Sequence, residues 1–100
     1  MNKESIYHIL SQNRATIKSY GISTLGIFGS YVRGEQTSES DIDLFVEFEK
    51  GKKSYRQYIN LVYFLEDLLK KQVDVLTSKS ISPLFKEQIK KEMTYVPLDN

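Results

Sequence analysis

Residues 41–48, Asp-Ile-Asp-Leu-Phe-Val-Glu-Phe, place apolar side chains at 42, 44, 46 and 48. A period of two belongs to a pleated strand with one face on a core, and it does not suit a helix. On such a strand Asp41 and Asp43 point to the same side, their backbones ~6.6 Å apart, close enough for both carboxylates to converge on one pair of cations. Two anions on one face with no Lys or Arg beside them are unfavourable unless positive charge arrives, and a divalent metal supplies it. Taken alone, an Asp-x-Asp is more often a strand-flanking residue followed by a solvent-facing one, because short motifs recur by chance.

The segments around this strand alternate between helical and extended signals. Ile6, Ile9, Leu10 and Ile17 share one face of a helix predicted over about 3–19, with Gly21 as its stop. A strand is predicted over 22–28, ending at Gly29-Ser30, which opens a short helical turn through Arg33. The polar run 34–40 reads as a loop. Ser54 caps a helix predicted to about Lys71, with Tyr55, Tyr58, Val62, Leu65 and Leu69 on its apolar face. A third strand is predicted over 72–76, and Ser82-Pro83 opens a last helix to about Met93, with a short extended end at 94–96. The order predicts an α/β (α+β) fold, a small mixed sheet with flanking helices, formed by residues 1–100 as a single domain.

Composition narrows the chemistry. The formal net charge of +1 gives no electrostatic basis for direct nucleic-acid binding or for a membrane surface. With no cysteine and His8 as the one histidine, thiolate nucleophiles, disulfides and Cys- or His-rich metal sites are excluded. A metal would therefore take oxygen ligands, which points to magnesium, manganese or calcium. No apolar run approaches the ~20 residues of a membrane span, and the first residues lack the pattern of a signal peptide, so the expected location is cytoplasmic.

Two further features sharpen the reading. Gly29-Ser30 lies at a strand-to-turn junction, with ten residues between Ser30 and Asp41. Glycine admits a ligand close to the backbone, exposed N–H groups bind phosphate, Ser30 adds a hydroxyl, and Arg33 adds a guanidinium one turn on. On its own, Gly-Ser is more often a plain strand-end turn. Asp74 interrupts the apolar run Val73-Asp74-Val75-Leu76. Such a break is either an edge-strand charge that discourages aggregation or a functional residue. Together, three aspartates on neighbouring strands form a cup suited to two metals.

The run Ile27-Phe28-Gly29-Ser30-Tyr31-Val32-Arg33-Gly34-Glu35, through Ser40-Asp41-Ile42-Asp43-Leu44, resembles the minimal nucleotidyltransferase (MNT) family of the polymerase-β-like nucleotidyltransferase superfamily. Val73-Asp74-Val75 matches the position of that family's third metal-binding aspartate, and residues 83–96 resemble its final helix and tail. Val32 stands where alanine is more usual. The resemblance implies that Asp41, Asp43 and Asp74 are the catalytic, metal-binding residues for two Mg²⁺, with Mn²⁺ as a substitute. Gly29, Ser30 and Arg33 would bind the phosphates of ATP or another nucleoside triphosphate. It further implies a HEPN-domain toxin as partner and, as activity, transfer of AMP to a tyrosine of that toxin, the protein adenylyltransferase role of an antitoxin. A competing reading is an antitoxin that neutralises a HEPN ribonuclease by contact alone, with a vestigial nucleotide site. A nucleotidyltransferase with another acceptor fits less well, since such relatives carry a second domain for the acceptor.

The remaining features are weaker. Tyr55, Tyr58 and Tyr63 share one predicted helix and either pack or face a partner. Glu35 and Glu39 read as solvated loop charges rather than supports of the site, and Lys52-Lys53, Lys70-Lys71 and Lys90-Lys91 as solvated helix ends rather than an RNA patch. His8 reads as surface.

Overall fold

The computed structural model describes residues 1–99. Four strands, β1 (Ile22–Phe28), β2 (Ile42–Phe48), β3 (Val73–Thr77) and β4 (Thr94–Tyr95), form one sheet in the order β3-β2-β1-β4. β1 is antiparallel to both β2 and β4, whereas β2 and β3 are parallel. A parallel neighbour needs a crossover, and α4 (Tyr55–Leu69) supplies it. The other helices are α1 (Lys3–Gln12), α2 (Arg14–Lys18), the single turn α3 (Ser30–Arg33) and α5 (Pro83–Glu92). The mixed sheet with flanking helices is the predicted architecture.

One face of the sheet carries the main core. Ile27, Leu44, Val46 and Val75 meet Ile6 and Leu10 of α1, Ile17 of α2, and Leu61, Leu65 and Leu69 of α4. Each such leucine contributes roughly 1.5–3 kcal/mol of burial free energy. The helical face of α4 differs from its prediction: Leu61 is buried, while Tyr55 is 81% exposed. Tyr55 is the first residue after the Ser54 cap, at the exposed start of the helix. Tyr63 is exposed as well, and the Tyr58 hydroxyl donates to Val75 O at 2.8 Å, so Tyr58 is a packing residue. Among the described residues no helix is long and apolar enough to cross a membrane.

The predicted first helix is two helices. Asn13, at φ −111°, breaks the ladder, and its side-chain amide donates to Ile9 O at 2.8 Å. An Asn side chain competes with the backbone for hydrogen bonds in this way, which the apolar periodicity does not reveal. At its far end α4 stops at Lys70, which takes the left-handed conformation.

The opposite face is covered too, contrary to a half-buried β2. Phe45 is fully buried and packs with Phe28, Ile89 and Met93 in a second, smaller core beneath α5. Helix α5 starts at Pro83 behind Ser82, whose hydroxyl accepts from Phe85 N–H. It crosses this face and ends where Met93 sits on Gly26: a Cβ on Gly26 would coincide with the Met93 thioether. Phe28 and Ile89 of this smaller core, with Leu76 packed against it, also line a cleft of about 610 Å³ between α5 and the ends of β1, β2 and β3.

Candidate active site

The cleft is built on one row of the sheet. Phe28, the last residue of β1, is the register partner of Asp43, and Asp43 is the partner of Asp74 across the parallel β2–β3 pair. Adjacent strands lie ~4.8 Å apart, so the row sets two carboxylates side by side, next to the point where the chain turns at Gly29. Asp43, Asp74, Gly29 and Arg33 all line the cleft, with Leu76, Phe85 and Ile89 as its apolar wall.

Gly29 has φ 79° and ψ −152°, a backbone region that a side chain disfavours. A Cβ there would also run into the carboxylate of Asp43. The glycine thus lets β1 turn sharply into α3 while Asp43 lies against its Cα. Ser30 opens α3, half-exposed, and Val32 and Arg33 N–H close the turn on Gly29 O at 3.0 and 3.2 Å.

Asp43 feels the crowding. Partial burial, then the charges of Asp74 and Asp41, push its carboxyl up to about 6, and Arg33 opposes the shift. A carboxylate that holds its proton this tightly is one for which a nearby cation would be favourable. Asp41 acts on Asp43 from outside the strand: β2 begins at Ile42, and Asp41 is exposed and does not line the cleft. Among the described residues no group of three or more His, Cys, Asp or Glu stands ready to enclose a metal ion. The expected three-aspartate cup is therefore present as a close pair, Asp43 and Asp74, with Asp41 at its rim. The donors are carboxylate oxygens throughout, which suits a hard divalent cation.

Arg33 is engaged rather than free. Its Nε donates to Glu35 Oε1 at 2.7 Å, and its Nη1 donates to Glu92 Oε1 and Oε2 at 3.1 and 3.2 Å. Glu92 Oε1 also accepts from Gly29 N–H at 3.1 Å. Glu35, Glu39 and His8 are exposed as expected, and Glu35 also pairs with Arg33. Glu92 escaped the sequence reading. A signal existed: an acid in the last turn of a helix opposes the helix dipole, and Glu92 follows Lys90 and Lys91, which suit that position. A separate cavity of about 440 Å³ beyond β3, lined by Tyr55, Tyr58 and Thr77, contains none of these residues.

The sheet carries a Gly-Ser turn and two adjacent aspartates at one end, and it is the comparisons with known proteins that place the chain in a class of enzymes acting on nucleotides. Residues 10–96 match the nucleotidyltransferase domain. The chain is 42% identical over 94 residues to a Methanocaldococcus jannaschii protein provisionally named a protein adenylyltransferase, covering 91% of this chain and 94% of that one. It is 35% identical to the protein adenylyltransferase MntA of Thermococcus cleftensis, over 93% of this chain and 94% of that one. A solved structure provisionally described as a minimal nucleotidyltransferase superposes with a TM-score of 0.74 at 31% identity, over 94% of this chain and 95% of that one. The fold also recurs, at 17% identity and a TM-score of 0.65, in a structure of a tri-AMPylated Shewanella oneidensis HEPN toxin in complex with an MNT antitoxin; the match covers 91% of this chain and 71% of that one. The chain belongs to the nucleotidyltransferase domain family and, within it, to the minimal nucleotidyltransferases.

Proposed function

We propose that this chain is a single-domain protein adenylyltransferase that moves AMP from ATP to a tyrosine hydroxyl of a HEPN-domain toxin and thereby acts as its antitoxin. The observation that carries the reading is the row Phe28–Asp43–Asp74 ending at the Gly29-Ser30 turn, which sets two carboxylates beside the backbone of a strand-to-helix turn. Relatives at 35–42% identity bear the adenylyltransferase name, and a HEPN–MNT complex of the same fold supports the reading of the partner.

The donor set fits Mg²⁺, with Mn²⁺ as a substitute: Asp43 and Asp74 would hold two ions, and Asp41 would join them by turning its exposed side chain inward. Bound there, the ions would neutralise charge on the attacking and leaving oxygens of an in-line displacement. The residues of the chain do the rest. Ser30 donates its hydroxyl to the β/γ-phosphates and Arg33 adds its guanidinium, which fixes the α-phosphorus facing the acceptor. Asp74 accepts the proton of the attacking hydroxyl. The bond from tyrosine oxygen to the α-phosphorus forms as the bond to the bridging oxygen breaks, and pyrophosphate leaves. A phenol has a pKa near 10, so a carboxylate placed to take its proton assists attack at neutral pH. Phe85, 43% exposed on the cleft wall, offers apolar surface for the base or for the incoming tyrosine.

Two observations favour a second reading, neutralisation by contact alone: Asp41 stands outside the cleft, and Glu92 takes Arg33 and Gly29 N–H. Intact-mass spectrometry of the HEPN partner after incubation with this chain, ATP and Mg²⁺ separates the two. Transfer predicts discrete additions of AMP, lost with the Asp41→Ala/Asp43→Ala double variant. An unmodified partner, equally neutralised by both proteins, would establish contact alone.

A further inference from the structure

Two donors at the proposed phosphate subsite are held by a carboxylate of the chain itself. Glu92, the last residue of α5, reaches across the cleft, and its Oε1 accepts from Gly29 N–H and from Arg33 Nη1, both at 3.1 Å. Its Oε2 accepts from the same Nη1 at 3.2 Å. Backbone amide and guanidinium are the donor types that recognise phosphate oxygens, and a carboxylate offers them the same acceptors at the same range. Glu92 also adds negative charge to a face that already carries Asp43 and Asp74. Its placement follows from the fold. Met93 sits on Gly26 and β4 pairs with β1, so the end of α5 is anchored directly after Glu92. The Glu92 side chain itself is 32% exposed at the cleft, so a change of rotamer releases both donors without moving the helix.

We propose that Glu92 is an internal competitor of the triphosphate: its carboxylate stands in for phosphate oxygens on Gly29 N–H and Arg33, and the β/γ-phosphates take these donors by displacing it. This rests on the nucleotidyl-transfer reading and deepens it by assigning a residue that sets triphosphate affinity. The resulting protein binds its nucleotide more weakly than its donors allow. Neutralising the competitor therefore strengthens binding, the reverse of what removing a supporting residue would do.

Calorimetry with ATP and MgCl₂, without any acceptor protein, tests this on the wild type and on Glu92→Gln, which keeps the side-chain volume and removes the charge. The expected result is an ATP Kd about five- to fifty-fold tighter in the variant, the loss of one charge-assisted competitor. AMP, which has no β/γ-phosphates, should gain less than about two-fold, because it does not compete for these donors. An ATP Kd that is unchanged or weaker in Glu92→Gln, with binding retained by the wild type, overturns the proposal and makes Glu92 a support of the turn. Equal gains for ATP and AMP overturn it as well, since they would reflect general charge alone. If neither protein binds ATP, the nucleotide reading fails first and this inference falls with it. Should Glu92→Gln not fold, the wild type decides: inorganic tripolyphosphate with Mg²⁺ must shift the Gly29 amide and the Arg33 Nη resonances, the donors Glu92 holds, and resonances that stay in place overturn the proposal.

Discussion

Asp43 lies against the Cα of Gly29, so that any side chain at position 29 would occupy the space of the Asp43 carboxylate. The glycine that opens the proposed phosphate turn is thus required first by the protein's own site and only then by a ligand. Gly29→Ala should lower stability by about 2–4 kcal/mol, from the positive φ and the clash combined. Urea melts without nucleotide check it. Replacing Asp43 by serine in the same chain should recover part of the loss, and a strictly additive double-mutant cycle would show that the two residues do not collide.

Stability should fall with pH across the range where Asp43 loses its proton. Its ordinary value is 3.8 and its folded value about 6, so the folded protein binds this proton more tightly than the unfolded chain. The penalty is absent below about pH 4, grows between 4 and 6, and is constant above. Because Asp43 is partly exposed, solvent screening reduces it to about 1 kcal/mol. In the presence of EDTA, Asp43→Asn should therefore be more stable than wild type at pH 7.5 and equal to it near pH 3.5. Equal melts at both pH values would refute the crowding.

The three aspartates should separate by readout. Asp41 is exposed and outside β2, so Asp41→Ala should leave the melt within about 0.5 kcal/mol of wild type. If the residue joins the proposed metal site, AMP transfer in the same variant should drop by about 10²-fold or more. Asp74→Asn should keep appreciable ATP affinity and transfer about 10²- to 10⁴-fold more slowly, as expected for loss of a base. Transfer at the wild-type rate by either variant would remove that residue from the mechanism.

Ser30 stands half-exposed at the mouth of the turn. Ser30→Ala deletes one hydrogen bond to phosphate, roughly 1–3 kcal/mol, and should raise the KM for ATP several-fold with a smaller change in kcat. A loss confined to kcat would place the hydroxyl at the reacting centre instead.

Gly26 is fixed by packing rather than by backbone conformation. Gly26→Ala drives a methyl group into the Met93 thioether and should cost about 1–3 kcal/mol. Adding Met93→Ala should relieve the overpacking but leave a cavity, so the double variant should be no worse than Met93→Ala alone. Thermal melts of the three proteins decide it.

Much of this was legible in order of residues alone. Period-two alternation over 42–48, the Ser54 and Ser82-Pro83 caps, and the spacing from Gly29-Ser30 to Asp41 and Asp43 are local signals, each written within a few residues. Local signals define strands, helix starts and which side chains share a face, because backbone geometry repeats over one turn or one pleat. The sequence could not show that Phe45 is buried beneath α5, or that Leu61 and not Tyr55 completes the face of α4. Those depend on what covers each surface, and the covering element lies far along the chain. The site divides in the same way. Sequence order singled out three aspartates, a Gly-Ser turn and an arginine, and a family resemblance grouped them as one expected site. Only the register of β2 against β3 made Asp43 and Asp74 neighbours, and only the passage of α5 across the second face brought Glu92 to Gly29 and Arg33, 63 and 59 residues away. Contacts at such separations are settled by the packing of whole elements, where one helix end placed by Met93 on Gly26 decides which donors the site keeps free.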